Sequence, residues 1–400
     1  MVRASPATGP EVRGAKLTRK ARVFAALYVA CVLVFLVGVA GFYRPGVGFT
    51  SMVRFGKDRE SRVLPELRAV PRFIVEGSGY DGQFYAQLAA NPAPWKAEVR
   101  AALDNPPYRS GRIVTSLIAY VLGGGNPAYA MHVFAAMNIV VWLVLAWLLL
   151  HWFPPGTPWD FACWAGILFS AGTMMSVCRA LPDLSAFALM VAGLWLWETA
   201  KPTAAAGMLG LAGLVRETSI LAAAIVVEKP STRRAVLRMV GRIALIAAPA
   251  LVLTLVLRHV AGKSHAAADN FALPFVAFVR RWLLIGKDGV LRSAGVVATM
   301  LSIAVQVGFF AARIRLADAR FRLGAVYVVL FAFMSDAIWE GYPGSAPRVL
   351  LPLLFAFNLA LPRTPRFAAL LLLGNLSVVT GWHNLTHPPK SAEAAVAPAR

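Results

Sequence analysis

Hydrophobic positions run along this chain in long unbroken blocks, not in the alternation of a half-buried strand or the narrow stripe of a soluble helix. Eleven stretches are apolar enough to lie in a bilayer. Nine predict transmembrane helices: Val23 to Tyr43, Ala128 to Leu150, Asp160 to Val177, Asp183 to Trp197, Ile243 to Ala261, Ala294 to Ala312, Leu323 to Trp339, Arg348 to Leu361 and Phe367 to Trp382. Two more, Ile113 to Leu122 and Pro202 to Val227, are apolar but ambiguous. Several runs fall short of the roughly 20 residues that cross a hydrocarbon core of about 30 Å. They must extend into flanking residues or sit where neighbours thin the bilayer. The expected fold class is all-α, a polytopic helical membrane bundle of about 10–11 transmembrane helices.

Composition supports this class and removes others. The chain is 58% hydrophobic and only 15% charged, with a mean hydropathy of +0.63, whereas soluble domains run about 25% charged. Its formal charge of +21 divides between both membrane faces and forms no basic stripe interleaved with aromatics, so nucleic acid is not an expected partner. Membrane lipids, anionic ones above all, are. Cys31, Cys163 and Cys178 lie within or at the ends of spans, where cysteine behaves as a small apolar residue, and they make no disulfide or zinc pattern. The six histidines are scattered, and His383 with His387 is followed at once by Pro388, which argues against a metal-binding helix. No phosphate loop or dinucleotide fingerprint occurs. No metal ligand set or cofactor is read, and use of a divalent metal stays open.

Basic residues set the orientation. Residues 1–22 form a basic tail, and Arg13, Lys16, Arg19, Lys20 and Arg22 before a long first span suit a retained signal anchor with a cytoplasmic N-terminus. Residues 23–382 read as one transmembrane domain and 383–400 as a flexible tail. Lys229, Arg233, Arg234, Arg238 and Arg242 mark one cytoplasmic loop, Arg313, Arg315, Arg320 and Arg322 a second, and Arg363 and Arg366 a third. Residues 44–112, 262–293 and 340–347 then lie outside. Parity requires an odd number of crossings between the first outer loop and Lys229. Either Ile113 to Leu122 crosses, or Pro202 to Val227 is two short helices turning at Arg216-Glu217. The second reading is preferred, because the first segment is only about ten residues long. It puts Arg179, Asp183, Arg216 and Glu217 near the outer face with Asp81, in a turn buried in protein or facing a water-filled cavity.

The outer loop carries Gly79-Tyr80-Asp81-Gly82-Gln83-Phe84-Tyr85. Read locally, Asp81 is the N-cap of a short helix from Gly82 to Ala90, with Tyr80 and Tyr85 as a hydrophobic staple. Tyr80, Phe84 and Leu88 follow i, i+4, i+8, so this helix could lie on the membrane with an aromatic face in lipid. Asp104-Asn105-Pro106-Pro107 is a turn signal. Arg109 and Arg112, three apart, would share a helix face and could hold a phosphate, or could snorkel at the interface.

Charges deeper in the spans cost about 2.5–3.5 kcal/mol each, so they have a partner or a task. Arg179 and Asp183, four apart, suggest a neutralising pair, and Arg216-Glu217 could pair with a neighbouring helix. Arg348 opens a span from the outer side with no acidic residue within three positions, which suits an anion ligand or an interfacial anchor.

The acidic outer loop, Leu181-Pro182-Asp183 opening a later span, Arg216 in a helix break and Arg348 beginning a late span resemble the GT-C membrane glycosyltransferases. More closely, Tyr80-Asp81-Gly82-Gln83-Phe84-Tyr85 with Asp104-Asn105-Pro106 and Tyr108-Arg109 resembles bacterial proteins of that superfamily linked to cell-surface glycopolymers. The resemblance implies a GT-C-like bundle in the bacterial inner membrane with its cavity open to the periplasm. It implies transfer of a sugar from a polyprenyl-phosphate donor to a hydroxyl of a glycan, lipid or protein acceptor. Asp81 would be the catalytic base, and Tyr80, Gln83, Asp104, Arg109, Arg112, Asp183, Arg216, Glu217 and Arg348 would bind substrate, the phosphate lying against Arg348 or Arg216. Many members place two acidic residues together in this loop, whereas Asp81 has only Glu76 nearby. The rival readings are a non-catalytic subunit of envelope polysaccharide assembly and a lipid or solute transporter, the latter without a detectable internal repeat.

Overall fold

Runs this apolar can leave water only if each backbone donor and acceptor is met nearby, and the described residues are predominantly helical. The computed structural model describes residues 19–262, 269–285, 287, 290–313, 315–340 and 344–391. The expected basic tail up to residue 18, residues 341–343 of the expected outer loop, and the expected C-terminal tail from residue 392 lie outside the described residues. Among the described residues, the one sheet is a parallel pair, Phe55–Gly56 with Ile74–Val75.

Ala21–Ala40, Pro127–Leu149, Arg233–Val260 and Ala294–Ala312 are long and apolar enough to cross a membrane, and Pro158–Leu168 with Ala171–Cys178 adds a fifth span if read through its 42° bend. By length and composition this make-up is consistent with an all-α membrane protein. Several remaining apolar runs, expected as single spans, are cut into shorter pieces. The expected span Leu323 to Trp339 stops at Ala332 because the 270s segment pairs with its end: Ala272 N donates to Phe333 O at 2.9 Å and Ser335 N to Asn270 O at 3.0 Å. Phe367 to Trp382 breaks at Asn375, whose amide pairs reciprocally with that of Asn358 at 2.9 and 3.0 Å. Its second half, Val378–Thr386, passes the expected domain end at residue 382 and buries Leu385.

Carbonyls released at breaks are met by buried polar side chains. Trp142 Nε1 donates to Leu168 O at 3.0 Å, and Asn138 Nδ2 donates to Ser176 O and Leu181 O at 2.9 and 2.8 Å. The split at Arg216 is present. Pro202–Val215 ends there, Arg216 is extended (φ −153°, ψ 122°), and the 3₁₀ helix Glu217–Val226 packs back against the first half. Val114–Leu122 has nine residues and is too short to cross.

Two expectations are corrected. The helix Gly82–Ala90 does not lie on a lipid surface: all of its residues are buried, and Gln87 ties it down by accepting from Leu64 N at 3.0 Å and donating to Ala102 O at 3.1 Å. Arg179 and Asp183 do not pair, because each finds a partner from a distant segment, as described below. A cleft of about 620 Å³ lies between the first helix, Pro158–Leu168 and the 371–382 region. No charged residue lines it, so it is a packing cleft and not a chemical site.

The helix Ala171–Cys178 meets the Arg348 segment at Gly172, where an added methyl would collide with the Pro347 carbonyl. Overpacking of this kind costs about 1–3 kcal/mol. Gly172→Ala is expected to lower the thermal midpoint of the detergent-purified protein by a few degrees. Gly207→Ala, which faces open space, is expected to leave it unchanged or raised. Equal midpoints would contradict the Gly172–Pro347 contact.

Candidate functional site

The motif Gly79-Tyr80-Asp81-Gly82-Gln83-Phe84-Tyr85 is held by its glycines. A Cβ at Gly79 would lie 2.5 Å from Gly56 N and 2.6 Å from Arg54 O, and one at Gly82 would lie 2.6 Å from Arg179 O. Only glycine lets these backbones meet, and the dipeptide Tyr80-Asp81 is thereby fixed between two walls. Gln83 fastens the turn by accepting from Gly56 N at 3.1 Å and donating to Ser78 O at 2.8 Å. Its amide is engaged by this turn, and it does not line the cavity described below.

Asp81 is not a side-chain cap either. Its backbone is already helical and its carboxylate makes no capping bond. Instead Oδ1 accepts from Arg109 Nη2 at 2.8 Å, with the side chain still 37% exposed. Arg109 is also gripped by Asp104, through Nε to Oδ1 at 2.8 Å and Nη2 to Oδ2 at 2.7 Å. The helix Pro106–Ser110 that presents Arg109 is capped by Asn105, whose Oδ1 accepts from Tyr108 N at 3.2 Å, so the turn signal serves the site. Arg109 and Arg112 are buried rather than snorkelling, and both donate to the Tyr85 hydroxyl at 3.3 Å. Arg112 donates further to the Tyr108 hydroxyl at 2.6 Å and to Glu217 Oε2 at 2.9 Å, across 105 positions of sequence.

A second cluster closes the other wall. Asp183, with 1% of its side chain exposed, lies between two arginines: Oδ1 pairs with Arg216 Nη1, and Oδ2 accepts from Arg348 Nη1 at 3.2 Å. Arg348 thus has an acidic partner 165 positions away that local inspection could not find. Arg179 turns instead to the Tyr80 hydroxyl, donating at 2.9 Å.

These walls enclose a cavity of about 380 Å³ whose lining includes Tyr80, Asp81, Arg109, Arg112, Arg216 and Arg348. Asp104, Asp183, Glu217 and Gln83 do not line it. Asp104 and Asp183 meet the lining arginines as counter-charges, and so does Glu217, whose half-exposed side chain lines a neighbouring groove. Sequence reasoning missed Tyr108, Asn270, Ser345 and Glu340 on the lining, and Tyr85 behind it. Tyr108 adjoins Arg109 and Tyr85 closes the Asp81 motif, so both had a visible signal. Asn270, Ser345 and Glu340 lie in connecting segments that only the fold brings here.

The cavity has two poles. Arg109 faces two carboxylates, Asp81 and Asp104, leaving a negative excess. Asp183 faces two guanidiniums, leaving a positive excess at Arg216 and Arg348. Burial opposes the Asp81 charge, but Arg109 and then Arg348 outweigh it and hold the carboxyl below its ordinary value. The Tyr80 phenol is likewise pushed up by burial and drawn lower overall by Arg348 and Arg179. Among the described residues, no group of three or more His, Cys, Asp or Glu could hold a metal ion.

Removing one partner of a buried ion pair costs about 3–5 kcal/mol, because the other charge stays buried without compensation. Asp183→Asn is therefore expected to cut the yield of monodisperse protein and lower its thermal midpoint strongly. Glu76→Gln, in a pair with Lys57 whose side chains are 70% and 65% exposed, is expected to change neither. Matching midpoints for the two variants would contradict the Asp183 assignment.

Comparison of the chain with known protein families, curated proteins and solved structures gave no match.

Proposed function

We propose that the protein is a membrane glycosyltransferase of GT-C type that moves a sugar from a polyprenyl-phosphate donor to an acceptor hydroxyl on the periplasmic side of a bacterial inner membrane, in the formation of a cell-envelope glycopolymer. The observation that carries this reading is the two-pole cavity: a partly exposed carboxylate at one end and an arginine pair with one shared counter-charge at the other. Transfer needs both. Asp81 takes the proton of the acceptor hydroxyl as its oxygen bonds to the anomeric carbon. The bond from that carbon to the phosphate oxygen breaks, and the electron pair leaves on a phosphate offset by Arg348 and Arg216. A groove of about 380 Å³, lined by Glu217, Leu221, Val326, Leu330 and Phe333 among others, suits the lipid tail. It borders the cavity through the Glu217–Arg112 pair. The bundle of about 10–11 spans belongs to this reading, the broken runs crossing as composite helices.

One observation favours the non-catalytic assembly subunit as a second reading. Asp81 is bonded to Arg109 and its basicity is lowered, so it is a weaker base than a free carboxylate.

Asp81→Asn separates the two. An amide can still bond Arg109 but cannot take a proton, so a base predicts loss of transfer by about 10²–10⁴-fold at normal protein levels. The assay is purified protein in liposomes with a polyprenyl-phosphate sugar, read beside surface glycan in cells. Near-normal glycan with the Asn variant would favour the assembly subunit. A base is active only when deprotonated, and the Asp81 pKa is depressed. The acidic limb of the transfer rate is therefore expected below the ordinary value of 3.8, activity being lost as pH falls through the lower folded value. A limb above it would exclude Asp81 as the titrating group.

A further inference from the structure

The four arginines lining the cavity each meet a carboxylate, but two more stand beside the same turn without one. Arg54 and Arg179 belong to the two backbone walls that clamp Gly79 and Gly82: Tyr80 N donates to Arg54 O at 3.0 Å, and Arg179 O crowds the Cβ position of Gly82. The Arg179 guanidinium lies 4.5 Å from the Tyr80 ring centroid and donates to its hydroxyl. Among the described residues, nothing accepts from the Arg54 side chain, neither arginine meets a carboxylate, and the Nε of each is buried without a partner. Both residues are half-buried. Burial first, and then the Arg179 charge, lower the Arg54 pKa to about 10.

The backbone is strained to hold them. Arg54 (φ 60°) and Ala180 (φ 45°), next to Arg179, are two of the four non-glycine residues at positive φ among the described residues. Such conformations cost about 1–3 kcal/mol and gather at ligand sites. Half-buried like charges with unmet donors are unfavourable unless an anion completes them.

We propose that Arg54 and Arg179, with the Tyr80 hydroxyl, form a second oxyanion subsite, distinct from Arg216 and Arg348, that takes a phosphate group. Guanidinium forks match the oxygens of a tetrahedral phosphate, and Tyr80, which lines the main cavity, joins the two regions. The phosphate has two possible sources: the second phosphoryl of a diphosphate whose first sits at Arg348, or an anionic group on a separate ligand. The inference goes beyond the transfer reaction and needs only anion binding.

The test is calorimetric titration of the full-length, detergent-purified protein with inorganic phosphate and with pyrophosphate, for the wild type, Arg54→Gln, Arg179→Gln and Arg348→Gln. Phosphate affinity is expected to fall about tenfold in Arg54→Gln and in Arg179→Gln. A diphosphate spanning both regions predicts that pyrophosphate binds once per chain, more tightly than phosphate, and is weakened by all three substitutions. Separate ligands predict two independent pyrophosphate events, one of them lost in Arg54→Gln and the other in Arg348→Gln. Wild-type phosphate binding in a folded Arg54→Gln protein overturns the subsite, and Arg179→Gln decides the matter by the same criterion if Arg54→Gln does not fold. Loss of binding in Arg348→Gln alone overturns the subsite while leaving the donor pole intact.

Discussion

The structure depends on one buried carboxylate shared by two buried guanidiniums. Asp183, Arg216 and Arg348 come from three separate apolar segments, and each would be costly to hold in a low-dielectric surrounding alone. Together they fix where those segments meet. The helix from Asp183 starts there, the chain breaks at Arg216 there, and the turn Ala346–Val349 brings Arg348 there. The break at Arg216 follows from the same constraint, because a continuous helix through Arg216 could not turn Glu217 to Arg112 while also presenting Arg216 to Asp183.

The opposite pole is built from the segment Tyr80 to Arg109 with the complementary imbalance, two carboxylates on one arginine. Tyr85 links the poles by accepting from both Arg109 and Arg112, and Arg112 reaches Glu217 beside the Arg216 break. The cavity is thus one connected network of charges and not a set of independent sites. On the proposed chemistry the network lets a carboxylate and a phosphate-binding pair share one cavity, because each is partly offset by its own counter-charge and keeps an excess of its own sign. It also means that a substitution at any member moves the others, so a single loss of activity does not by itself assign a role.

Much of this was legible in sequence. Charges within apolar runs stand out because burial makes them expensive, so Asp183, Arg216, Glu217 and Arg348 were found from the sequence, as were Asp81, Arg109 and Arg112 from the loop motif. The Arg216 break was expected from crossing parity. Pairings were not legible, because Arg348–Asp183 and Arg112–Glu217 join residues 165 and 105 positions apart. Local rules also misled where tertiary contacts won. Asp81 sits where a cap belongs but is drawn to Arg109, Arg179 leaves its i+4 partner for Tyr80, and an amphipathic-looking helix is buried on all sides. The resemblance implies Gln83 as a ligand, while its amide is engaged by the turn that holds Asp81 in place.

The central claim is that this cavity and its neighbouring groove hold an amphiphile with a phosphate head. Native mass spectrometry of the protein extracted gently from its own membrane tests this most directly. The account predicts a retained lipid carrying one or two phosphates on the wild type, lost or strongly depleted on Arg348→Gln protein that remains folded. A wild type that retains no phosphate-bearing lipid, or a variant that retains the same lipid to the same extent, would contradict it.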